Sequence, residues 1–165
     1  MPAPSTIDIA PARLPGDIDL VRALFGEYIT GLGIDLSFQD VHTELAQLPG
    51  KYAPPRGDVL LARDVTGAAL GCVALRPWSP PGECEIKRLY VRPAARGRSL
   101  GRQLAEAAIA RASQAGYRRV LLDTLASMQA ARALYASLGF RPVEPYYRNP
   151  VPDTLYMALD LPGAA

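Results

Sequence analysis

The 165-residue chain has two cysteines, one histidine, one tryptophan, almost no net charge and no long apolar run. Cys72 and Cys84 stand in apolar, strand-like surroundings without CxxC spacing, and His42 has no histidine or cysteine beside it. That pattern argues against a zinc site and for two small buried hydrophobes in a reducing compartment. Eighteen Lys and Arg against sixteen Asp and Glu give +2, too little for a protein held on nucleic acid by phosphate neutralisation, and no aromatic platform is interleaved with the basic groups. No segment approaches the roughly 20 apolar residues of a membrane span, and Met1 to Ser5 lacks a basic region followed by an apolar run. The expectation is a cytoplasmic protein that uses no metal, nucleic acid or membrane.

With 49% hydrophobic and 21% charged residues, the length suits one domain over residues 1–165 with a sizeable core. A short strand is expected around Thr6 to Ala10. Asp17 is placed to cap a helix in which Val21, Leu24, Phe25, Tyr28 and Leu32 recur at helical spacing until Gly31 and Gly33. Ser37 with Asp40 resembles a capping box for a second, short helix presenting Phe38, Val41, Leu45 and Leu48. Two strands, 58–63 and 68–75, flank the turn residues Asp64 to Gly67, and a third follows the punctuated loop 77–82 and carries Glu85. A helix then buries Leu100, Leu104, Ala105, Ala108 and Ala112 and ends by Gly116; a strand spans 119–123. Ser127 starts a last helix with Met128, Ala131, Leu134, Tyr135 and Leu138 on one side. Gly139 and Phe140 close it in a Schellman-type end, and strands follow near 143–147 and 154–159. The order βααβββαβαββ indicates the α/β (α+β) class, with a mixed central sheet flanked by helices.

The most informative stretch is Glu85 to Gly101. Ile86, Leu89 and Val91 are oddly spaced for one strand face, which indicates either a β-bulge at Lys87 or Arg88 or an irregular strand. A bulge would leave the N–H and C=O groups of Leu89 and Val91 free for an extended ligand. The loop Arg96 to Gly101 has neither GxxxxGK[ST] nor GxGxxG spacing. It joins a carboxylate-bearing strand to a helix start, where unpaired amides and the helix dipole can hold a pyrophosphate; a solvated turn is the plainer reading.

The combination ExxxLxVxPxxRGRxLG followed by LYxxLGF resembles the GNAT superfamily of acyl-CoA-dependent N-acyltransferases. The similarity covers nearly the whole element order. It implies an N-acetyltransferase moving an acetyl group from acetyl-CoA to a primary amine of a small molecule or peptide. It further implies a sheet whose central strands splay after the bulge, and a homodimer through the terminal strands. The family loop Q/R-x-x-G-x-G/A falls on Arg96, Gly97, Arg98, Ser99, Leu100 and Gly101, so Ser99 replaces a glycine. A helical φ at Ser99 would make this cheap, and is the expectation; a positive φ would cost about 1–2 kcal/mol. Leu89, Tyr90 and Val91 match the strand that pairs with pantetheine, and Arg98 and Arg102 are placed to meet phosphates.

The resemblance also makes Glu85 the general base, with Glu83 in reserve, and Tyr135 the general acid at the departing sulfur. The plainer readings are a strand carboxylate paired with Lys87 or Arg88, and a tyrosine that covers the coenzyme. Met128 stands where many relatives carry asparagine, leaving Ser127 or backbone to replace that contact. A non-catalytic acyl-CoA sensor is the alternative function. Asp123 or Thr124 at a strand end can line an amine pocket or form an exposed turn. Tyr146 to Asn149 form a polar-aromatic cluster suited to a substrate or a rim. Trp78 either flanks the acceptor opening or anchors its loop, and His42 reads as a surface residue.

Overall fold

The computed structural model describes residues 6–162. Its elements are β1 (Asp8–Pro11), α1 (Ile18–Leu32), α2 (Val41–Ala46), β2 (Asp58–Arg63), β3 (Ala69–Pro77), β4 (Glu83–Val91), α3 (Leu100–Gln114), β5 (Arg119–Leu125), α4 (Gln129–Ser137), β6 (Arg141–Val143) and β7 (Thr154–Asp160). The expected order holds. One sheet runs β1-β2-β3-β4-β5-β7-β6. It is antiparallel except where β4 meets β5.

The sheet is covered on both faces, which explains why β2 and β3 read as almost continuous apolar runs. Val59, Leu61, Cys72 and Ala74 face α1 through Val21, Leu24 and Phe25, with Tyr52 edge-on to Phe25 at 5.6 Å. Leu60, Ala62, Val73, Leu75 and Ile86 face Leu100, Leu104 and Ala108 of α3 on the other side. Cys72 and Cys84 are free and buried, and burial pushes both thiols up to about 12. The α4 end is Schellman-like, as expected: the Phe140 N–H reaches the Tyr135 carbonyl at 3.0 Å beside Gly139 at φ 100°.

Three local expectations are corrected. Asp17 does not cap α1 with its side chain; its carboxylate accepts from the Arg13 amide at 2.7 Å and Arg63 at 2.9 Å, closing the preceding turn. Ser37 opens a 3-10 turn, Ser37–Gln39, rather than a capping box; Asp40 ends it in the left-handed region, which aspartate tolerates, and α2 begins at Val41. The side chain of Phe38 lies outside the described residues. β6 is a three-residue edge strand ending at Val143, so residues 144–147 are not strand; Pro145 has no N–H to continue a ladder.

The feature that positions the site is a parting of β4 from β5. Registered pairs run only from Glu83↔Arg119 to Glu85↔Leu121. Further along β4, Cys72 pairs with Tyr90 and Ala74 with Lys87, so Arg88 and Leu89 together oppose Val73. That is a β-bulge, with Arg88 at φ 58°. The strands therefore separate before the bulge rather than after it. Only glycine fits opposite the bulged segment: a Cβ on Gly71 would lie 2.4 Å from the Tyr90 carbonyl oxygen.

Candidate active site

The ladder between β3 and β4 decides which backbone groups face the gap. The Arg92 N–H donates to the Leu70 carbonyl at 2.8 Å, so Arg92 and Leu70 form a hydrogen-bonded pair. Alternation then makes Tyr90 and Cys72 the next such pair and points the N–H and C=O groups of Val91 and Leu89 away from β3. They point to the side that β5 has left. Tyr90, expected among the coenzyme contacts, turns the other way. Its hydroxyl donates to Glu27 at 3.1 Å, its ring packs edge-on to Tyr28 at 6.2 Å, and its peptide groups serve β3.

At the end of this ledge, the amides from Gly97 to Arg102 find no acceptor among the described residues. Gly97, Arg98 and Ser99 are exposed, while Leu100 is anchored in the core. Ser99 is left-handed, φ 56° and ψ 25°, with no side-chain cap, which overturns the helical φ expected for it. Arg96 donates to the Val91 carbonyl at 3.3 Å, and Arg102 is engaged by Glu106 at 3.3 Å and by Ser137. The open donors are thus backbone groups at the start of a 15-residue helix, where an anion gains from the dipole as well. Ser127 is exposed and does not line the cavity that Met128 lines.

Glu85 is 0% exposed. Arg76 grips its Oε1 through Nε and Nη2, both at 2.8 Å, Lys87 Nζ lies 3.8 Å away, and the Tyr146 hydroxyl donates to Oε2. Trp78 backs this group, edge-on to Tyr146 at 5.3 Å and under the Arg76 guanidinium at 4.6 Å, so it anchors its loop. Glu83 lies at the closed end of the gap, 3.5 Å from Arg119 of β5. Neither carboxylate lines the cavity in the gap.

That cavity, about 110 Å³, lies between α1, the bulge, the end of β5 and α4, with Leu89, Asp123, Thr124 and Tyr135 on its wall. Asp123 and Thr124 thus form pocket wall, and the aromatic cluster positions it: the hydroxyl of Tyr147 and the amide of Asn149, at 3.5 Å, donate to Asp123 Oδ2. Asp123 forms no ion pair among the described residues. Burial first, then Tyr28 and Asp123, holds the Tyr135 phenol well above its ordinary pKa, so it keeps its proton at neutral pH. His42 is exposed and lies off this wall.

Two functional features went unread in the sequence. Lys87 lines the cavity; the alternation Glu83, Glu85, Lys87 marks one polar strand face and would have indicated it. Glu44 of α2 binds Arg88 Nε at 3.0 Å and Nη2 at 3.2 Å and accepts from the Tyr52 hydroxyl at 2.8 Å, fastening the bulge. Helical periodicity gives no hint that this carboxylate turns inward.

A parted parallel strand pair, a bulged ledge and an open helix start define an acyl-CoA-dependent transferase fold. Residues 28–140 match the model of the acetyltransferase (GNAT) family, and the chain belongs to that family. It is 48% identical over 161 residues to an N-acetyltransferase of Schizosaccharomyces pombe, spanning 98% of this chain and 99% of that one. It is 33% identical over 110 residues to the N-acetylaspartate synthetase of Danio rerio, 66% of this chain and 39% of that one. Among solved structures it resembles an acetyltransferase of Salmonella typhimurium determined with its cofactor acetyl-CoA (TM-score 0.70, 22% identity, 98% and 97% of the two chains).

Proposed function

We propose that this chain transfers the acetyl group of acetyl-CoA to a primary amine held in the β4–β5 cavity, with Asp123 as the carboxylate at the amine and Tyr135 as the acid. The carrying observation is that the outward backbone of Val91 and Leu89 leads from the unpaired amides of Gly97 to Arg102 to a cavity that Leu89 lines together with Asp123 and Tyr135. Acetyl-CoA supplies the activated acyl group as a thioester. The Leu89 and Val91 backbone binds and orients it, and an N–H there polarises the reacting carbonyl. Asp123, fixed by Tyr147 and Asn149, accepts a proton from the ammonium so that the nitrogen becomes nucleophilic, and the Tyr135 hydroxyl faces the departing sulfur.

Glu85, the base implied by family resemblance, is enclosed by Arg76, Lys87 and Tyr146. Its part in this reading is to fix Arg76 and Lys87. Calorimetry with acetyl-CoA, followed by thiol release across an amine panel, tests the reading. Asp123→Asn is expected to lower kcat by about 10²–10⁴ with acetyl-CoA binding retained. If instead Asp123→Asn turns over as the unaltered protein does and folded Glu85→Gln loses turnover, the base is Glu85; if folded protein binds no acetyl-CoA, the whole reading fails.

A further inference from the structure

Most charged groups around the cavity are engaged in close ion pairs, and two on its wall are not. Arg76 is spent on Glu85, bound twice at 2.8 Å. Arg88 is spent on Glu44, bound at 3.0 and 3.2 Å, with Lys51 3.6 Å from the same carboxylate. What remains on the wall is one cation, Lys87, and one anion, Asp123. Lys87 has three N–H donors: one reaches Gln39 Oε1 at 3.2 Å, and its contact with Glu85 is a long 3.8 Å, so a donor is left for a ligand. Asp123 receives only neutral donors, Tyr147 and Asn149.

From these unspent groups we infer that the acceptor is a zwitterionic α-amino acid with an apolar side chain, its ammonium at Asp123 and its carboxylate at Lys87. The inference rests on the acetyl-transfer reading above. The rest of the wall carries no further charge besides the paired Arg88: Leu32, Ile34, Leu36 and Val151 form an apolar stretch that suits a hydrocarbon side chain, beside the neutral polar groups of Gln39, Thr124 and Thr154. The two charges sense each other: burial lowers the pKa of Lys87, while Glu85 and then Asp123 hold it up. A ligand carboxylate would act in the same direction as those two groups. An amine lacking the carboxylate leaves a buried ammonium without its partner, which is the costly case. In the transfer, the amine nitrogen forms the new C–N bond as the C–S bond breaks. Of the two protons the nitrogen gives up, one passes through Asp123 to solvent. The other replaces the proton that Tyr135 delivers to sulfur.

The test compares L-leucine, L-leucinamide, 3-methylbutylamine, L-aspartate and L-lysine as acceptors by thiol release at neutral pH. L-Leucine is expected to exceed L-leucinamide and 3-methylbutylamine by about 10–100-fold in kcat/KM, mostly through KM, and to exceed the two charged amino acids. In Lys87→Met the L-leucine advantage over its amide is expected to collapse, with acetyl-CoA binding by the variant reporting that it is folded. Should that variant not fold, the comparison of acceptors on the unaltered protein decides alone. Simple amines acetylated as well as L-leucine would overturn this inference and leave the acetyl-transfer reading standing. Thiol release with none of the five by protein that binds acetyl-CoA would likewise overturn this inference alone, whereas folded protein that binds no acetyl-CoA would remove both.

Discussion

Among the described residues, four that are not glycine have positive φ: Asp40, Arg88, Ser99 and Asp153. Aspartate visits this region readily, whereas arginine and serine do so at a cost of about 1–2 kcal/mol. The two costly cases are both at the site, one in the bulge and one at the helix start. At Arg88 the cost is offset by the double contact to Glu44. At Ser99 no hydrogen bond from the hydroxyl offsets it among the described residues, because the side chain makes no cap. Ser99→Gly is therefore expected to stabilise the free protein by about 1 kcal/mol, raising Tm by roughly 2–4 °C in a scanning calorimeter; a fall in Tm would mean that the serine is unstrained. The open amides of the loop were legible from its glycines and its position before a helix. The conformation of Ser99 was not, because the need to turn successive amides outward overrides the preference of the residue.

At the level of elements, β4 is a strand whose two ends do different work. Its first three residues hold β5, and its last three face a gap. The bulge that separates them was visible in the spacing of Ile86, Leu89 and Val91. Its fastening by α2 was not, since Glu44 and Arg88 are 44 residues apart. Burial disfavours the charged form of Glu44, but hydrogen bonds and charge from Arg88, with Tyr52 and Lys51 adding to them, outweigh it and leave the carboxyl below its ordinary pKa. A depressed folded-state pKa adds stability that is complete above the unfolded value near 4.5 and is lost as pH falls through the folded one. Glu44→Gln leaves the buried Arg88 charge uncompensated and is expected to cost about 3 kcal/mol at pH 7 in urea unfolding. The difference from the unaltered protein should shrink as the pH drops below about 4.5. A difference that stays constant with pH would show that the ion pair contributes nothing electrostatic.

At the scale of the molecule, the chain forms two half-sheets, β1 to β4 and β5 to β7, sewn together by three registered residue pairs. Along the rest of that seam the backbone has no strand partner, although Arg96 reaches the Val91 carbonyl, and an unpaired strand edge is a template for a strand-like ligand. Composition and periodicity indicated one mixed sheet. They carried no information on where it is unsewn, because an absent ladder leaves no mark on which residues are apolar. A coenzyme arm lying on the ledge would supply the missing partners, so the amides of Leu89 and Val91 should exchange hydrogen rapidly in the free protein and slow on adding acetyl-CoA. The Tyr90 amide, already bonded to β3, should change less. Because the ligand binds only the folded state, a concentration of 100 times Kd should add about 2.7 kcal/mol and raise Tm by roughly 5–10 °C. A rise in Tm without protection at Leu89 and Val91 would mean that the coenzyme binds at the helix start alone. The gap between the half-sheets would then serve the acceptor and nothing else.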